Sequence, residues 1–115
     1  MTVEEIARLV QGTIICGAEN KEQKVERVIA SDLMSDVLTL KDTDELMLVT
    51  GLCNLQSVRT CEMSDISVML VVRNKVVTDE MIELANDNEM IIIRTGFSMF
   101  KTAGILYEAG LKPLY

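Results

Sequence analysis

The sequence predicts an α/β fold of three α/β/α layers around a mostly parallel sheet. Three observations carry this. From Leu46 onward, strand-like runs alternate strictly with helical segments, as in βαβ units joined by right-handed crossovers. Those runs are almost unbroken in apolar character, as in Ser67-Val68-Met69-Leu70-Val71-Val72, which marks strands covered on both faces. Two of them, Leu46 to Val49 and Met90 to Arg94, end in Thr-Gly, at Thr50-Gly51 and Thr95-Gly96. A small polar residue and a glycine let the backbone turn sharply and leave free N–H groups at the next helix start.

Each element has a local reason. Thr2-Val3-Glu4-Glu5 reads as a capping box, and Val3, Ile6, Leu9 and Val10 follow at helical spacing, so the first helix runs to about Val10 and stops at Gln11-Gly12. Thr13 to Cys16 is short and β-branched, a strand ending at Gly17. Ala18 to Lys24 is a polar loop. Val25 to Ala30 is a second strand, followed by a polar corner at Ser31-Asp32, either of which can cap a short helix over Leu33 to Leu38. Lys41 to Glu45 is a charged loop; Asp42 and Asp44 lack the glycine and glutamate of a calcium-binding loop.

The alternating half then gives a strand at Leu46 to Val49, a helix from Asn54 to Met63, a strand from Ile66 to Val72 and a helix from Thr78 to Asp87. A strand from Met90 to Arg94 and a helix from Ser98 to Ala109 complete it. Asn54 and Thr78 are suitable N-caps, and Gly110 suits the position just past the last helix, with Pro113 beyond it. The C-terminal Leu111 to Tyr115 is apolar enough to pack.

All 115 residues fit one domain, 1–115. Hydrophobic residues are 49% of the chain and aromatics only 3%, so eight methionines help Ile, Leu and Val fill the core. A formal net charge of −7 excludes a basic footprint and argues against nucleic acid or an anionic membrane surface. There is no signal-peptide pattern at Met1 to Glu5 and no run of membrane-spanning length, so a cytoplasmic protein is expected. Three cysteines, Cys16, Cys53 and Cys61, have no CxxC spacing and no histidine beside them, which disfavours a zinc or iron–sulfur site; no cofactor is expected. Each cysteine is read first as a small buried hydrophobe; Cys53 alone offers a second reading, because a helix dipole just ahead of it lowers a thiol pKa.

In an open parallel sheet, ligands bind at the carboxyl ends of the strands. That edge gathers the candidate ligand-binding residues: Ser31 and Asp32; Thr50, Gly51 and Asn54; Thr95, Gly96 and Ser98. Hydroxyls and free N–H groups there suit a carboxylate or phosphate oxygen, and Arg59 or Arg94 can add a charge-assisted bond. The simpler account is that these residues only cap helices and permit turns, since no GxxxxGK[ST] or GxGxxG spacing is present. Ser98-Met99-Phe100-Lys101 matches SxxK, and Asp32 and Asp36 are four apart. Without companion motifs, a capped helix and a solvated face account for both.

The stretch Leu46 to Met63, the strand after it, Thr95-Gly96-Phe97-Ser98-Met99-Phe100 and Gly104-Ile105-Leu106-Tyr107 together resemble a DRTGG domain, although the letters DRTGG are not contiguous here. The resemblance implies a fold like the amino-terminal domain of HPr kinase/phosphorylase. It implies an accessory or regulatory role, with dimer contacts in some pyrophosphatases and an association with metabolic or redox enzymes. The expectation is a non-enzymatic regulatory or adaptor module, homodimeric, binding a partner protein or a small anionic metabolite. A structural oligomerisation domain and a small enzyme using the strand-end corners are the alternatives.

Overall fold

A computed structural model describes the whole chain, Met1–Tyr115. Helix α1 (Val3–Leu9) leads into strand β1 (Thr13–Cys16); β2 (Arg27–Ala30), α2 (Met34–Val37), β3 (Leu46–Thr50), α3 (Leu55–Met63), β4 (Val68–Val71), α4 (Asp79–Asp87), β5 (Ile91–Arg94), α5 (Met99–Glu108) and β6 (Lys112–Pro113) follow. They form one six-stranded sheet in the order β1-β5-β4-β3-β2-β6. Strands β2 to β6 pair in parallel, and only β1 runs antiparallel, beside β5.

Alternation along the strands divides the core in two. Met47 and Val49 of β3, Val68 and Leu70 of β4, and Ile91 and Ile93 of β5 face α1 and α5. Leu46, Leu48, Met69, Val71 and Ile92 face the layer of α2, α3 and α4. Every residue of β3 and β4 is buried, which is why neither strand shows a polar stripe in the sequence. Three successive crossovers, from β2 to β5, step in one direction with their helices on one face. The fourth, through α5, returns across the other face and lays β6 against β2. One handedness therefore fixes both layers.

The predicted elements stand with adjusted ends. The second strand starts at Arg27 rather than Val25, and the strand expected from Ile66 spans Val68 to Val71. The capping box at Thr2 and Glu5 is formed. Neither Ser31 nor Asp32 is the cap of α2, which has Leu33 at that position without a side-chain bond; the Ser31 hydroxyl instead accepts the Leu33 N–H at 3.1 Å. The apolar C-terminus finds its partner in β2, with Leu111 buried in the core under α5.

Four helices end in the same way, and three do so without glycine. Past α1, α3 and α4 the chain takes left-handed φ at Gln11 (51°), Asp65 (56°) and Glu89 (55°), and past α5 at Gly110 (103°). In each case the next N–H reaches back to a carbonyl in the last turn: Gly12 to Ala7, Ile66 to Cys61, Met90 to Ala85 and Leu111 to Leu106, at 2.8 to 3.2 Å. These are Schellman closures. Ile66, Met90 and Leu111 then plunge directly into the core. A left-handed L-residue costs roughly 1 kcal/mol or more. Replacing Glu89 by glycine should therefore raise stability by about 0.5–1 kcal/mol, read as a higher denaturant midpoint at unchanged slope; a lower midpoint would mean that the side chain outweighs the strain.

Candidate functional site

The two Thr-Gly corners open on the same sheet edge but are not neighbours. Thr50 pairs with Val71, Val71 with Arg94, and Arg94 with Thr13, so β4 stands between them and this row crosses the sheet on the α2–α4 face. Thr50 and Arg94 are thus about 9–10 Å apart at the backbone.

At the first corner Asp32 is the organising group. Its Oδ1 accepts the Thr50 hydroxyl at 2.8 Å and the Gly51 N–H at 2.7 Å, while Thr50 Oγ1 accepts the Leu52 N–H. The carboxylate occupies the position that a ligand oxygen would take at the Gly51 amide. Ser31 ties its own turn, and Asn54 caps α3, its side chain accepting the Ser57 N–H while the Ser57 hydroxyl returns a bond to the Asn54 carbonyl.

The second corner is anchored differently. Thr95 is buried, donates its hydroxyl to the Val10 carbonyl at 2.7 Å, and accepts the Phe97 N–H, tying β5 to the end of α1. Gly96 is exposed, and Ser98 is the exposed cap of α5 through the Lys101 N–H. Arg59 is exposed on α3. Eight of the nine candidate residues thus share an edge, and Arg59 lies along α3. The structure draws Asp32, Thr50 and Gly51 into one hydrogen-bonded group, while Thr95, Gly96 and Ser98 lie at the other corner with no bond among them.

Cys53 follows the buried-hydrophobe reading and not the dipole-activated one. Its Sγ donates to the Val76 carbonyl at 3.2 Å and lies 3.9 Å from Met81 Sδ, so the thiol turns inward from the helix start. Burial pushes its pKa up, against the opposing pull of Lys75 and Arg94. Burial raises Cys16 as well and pushes Cys61 up to about 12.

Sequence reading missed the loop between the two corners. The connections leaving β4 and β5 depart to opposite faces, making this the switch point of the sheet. Here Arg73 (φ 65°) and Asn74 (φ 54°) are successive left-handed residues, their N–H groups donating to Phe97 O and Thr95 O at 2.8 Å. These backbone bonds tie the loop to the segment that follows β5. Arg73, Lys75 and Arg94 have no ion pair; of the eleven lysines and arginines only Arg8, Lys21 and Arg27 do. The available signal was positional: basic residues follow the ends of both strands in a chain of net charge −7.

Two measurements check this geometry. Asp32→Ala strands the Thr50 hydroxyl and the Gly51 amide and should cost about 1–3 kcal/mol in a denaturant melt, with Asp32→Asn milder because an acceptor remains. For Cys53 the raised pKa means less thiolate at neutral pH. Iodoacetamide labelling should be slower than for an unperturbed thiol and keep accelerating as pH rises beyond about 8.5; a plateau near neutrality would contradict the inward geometry.

The DRTGG domain family model matches residues 5–109. No curated protein matches the chain. Among solved structures, the fold is similar to that of the CBS and DRTGG domains of the regulatory region of Clostridium perfringens pyrophosphatase, solved with the activator diadenosine tetraphosphate. The TM-score is 0.71 at 16% identity, and the match covers 91% of this chain. It covers 45% of that chain, so the present sequence spans less than half of its structural neighbour. With nearly its entire length under the family model and its three-layer sheet matched by a domain of the same kind, this chain belongs to the DRTGG domain family.

Proposed function

We propose that the chain is a non-enzymatic regulatory or adaptor module that acts as a homodimer through the outer face of α5. The observation that carries this is the composition of that helix. Of the ten residues from Met99 to Glu108, only Lys101 and Glu108 are charged, yet one side faces solvent. A helix that is apolar nearly all round belongs in an interior. Phe100 is 90% exposed and Tyr107 is 70% exposed, with Gly104 between them and open space where its Cβ would be. Beside the helix an apolar groove of about 130 Å³ is lined by Val28, Ala30, Ala103, Tyr107 and Pro113, among others.

A two-fold interface must be complementary to itself. An antiparallel crossing at Gly104 meets that condition. It brings the Lys101 end of one helix to the Glu108 end of the other and turns each Phe100 toward the Tyr107 end of the opposite groove. Glycine at the crossing lets the backbones approach closely.

The groups that a small enzyme would need have structural tasks, which supports the non-enzymatic reading. The Ser98 hydroxyl caps α5, and the Lys101 ammonium lies 3.9 Å above the Phe97 ring instead of activating that serine. In the pyrophosphatase, a DRTGG domain forms part of a regulatory region. By analogy, the dimer carries a signal to a metabolic or redox enzyme, and the strand-end residues, from Ser31 and Asp32 to Gly96 and Ser98, hold the edge at which a small anionic metabolite is received.

Light scattering on the purified protein at micromolar concentration should give a dimer mass. Phe100→Asp should shift it to the monomer, a loss of roughly 2 kcal/mol or more for a central aromatic anchor, with an unchanged circular dichroism spectrum. A monomeric wild-type protein would end the dimer reading.

A further inference from the structure

We infer that the rim of the β4–β5 switch point is an anion site, at which Arg73, Lys75 and Arg94 take a phosphoryl or carboxylate group. This deepens the ligand half of the regulatory reading above and rests on it. It moves the ligand away from the Asp32 corner. There the Gly51 amide already serves a carboxylate of the chain itself, and a second anion would meet that charge.

Four observations converge on this rim. Arg94 is half-buried at the carboxyl end of β5, in the last cross-strand row on the α2–α4 face. The loop that carries Arg73 and Lys75 is hydrogen-bonded to the segment just past Arg94, through Arg73 N–H to Phe97 O and Asn74 N–H to Thr95 O at 2.8 Å, which sets it beside the end of β5. None of the three cations has an ion-pair partner, a condition shared with five other lysines and arginines of the chain, and Asp79 and Glu80 in the first turn of α4 complement the helix dipole instead. The loop that presents Arg73 is held in two consecutive left-handed residues, a conformation that persists only when its surroundings enforce it.

The chemistry of the ligand follows from that of the rim. Three basic residues on two adjoining segments favour a multiply charged oxyanion, which can accept from a guanidinium in bidentate fashion. Recognition is by charge at an open surface and must weaken with salt.

The test uses the whole chain with inorganic phosphate and inorganic pyrophosphate as probes, at constant ionic strength set with chloride. Amide NMR shifts should move at residues 73–76 and 94–98, with pyrophosphate binding more tightly than phosphate and both weakening as chloride is raised. Lys75→Gln and Arg73→Gln, on the loop and outside the core, should each weaken binding by about tenfold without altering the spectrum elsewhere. Equal binding by wild type and both variants, or shifts centred on Gly51 and Leu52, would overturn the assignment. The dimer mass, measured on the same samples without the probes, reports separately on the α5 reading.

Discussion

The central strands have no polar face, and most of the molecule follows from that constraint. β3 and β4 are buried along their whole length, and Ile91, Ile92 and Ile93 of β5 are fully inside. At roughly 25 cal/mol per Å² of apolar surface, each large side chain contributes about 1.5–3 kcal/mol only if a helix covers it. Helices must therefore lie on both faces of the sheet, and the polar atoms of the strand ends must find partners at the edges. The hydroxyls of Thr50 and Thr95 do this, one to Asp32 and the other to the end of α1. They serve the sheet before they serve any ligand.

The same constraint explains the abrupt helix ends. With helices of seven to ten residues flanking a sheet of short strands, the chain has to reverse and re-enter the core within two residues. Schellman closures meet this demand because the residue after the left-handed one is already aimed back at the sheet. Ile66, Met90 and Leu111 occupy that position and are buried. The left-handed strain at Asp65 and Glu89 is the cost of keeping each connection this short.

Whatever depended on neighbours in the sequence was legible there. The strands from Leu46 onward, the caps at Thr2, Asn54, Thr78 and Ser98, and the glycine past α5 all stood out as local patterns. The closures at Gln11, Asp65 and Glu89 were hidden, because tertiary packing overrides the preference of those residues against left-handed φ. The separation of the two Thr-Gly corners by β4 is a property of strand order. The Thr95 hydroxyl partner lies 85 residues away, and no spacing rule reaches it. Of the two readings Cys53 allowed, the inward turn toward Val76 and Met81 selects the buried one, and burial raises the thiol pKa.

The return of α5 across the sheet orders the assembly of the fold. Strands β2 to β5 each dock beside the preceding one through a single crossover helix, so this part can zip up progressively from comparatively local contacts. Strand β6 pairs Lys112 with Arg27 and Pro113 with Val28, closing a loop that encloses most of the chain. Such a closure meets its entropic cost only after the intervening sheet exists. The α5–β6 segment therefore settles late, as does β1, whose pairing of Thr13 with Arg94 closes a loop of similar length, and by the same reasoning both edges open early in the native state. Their amides should exchange with solvent through partial openings that leave the centre of β3 and β4 protected.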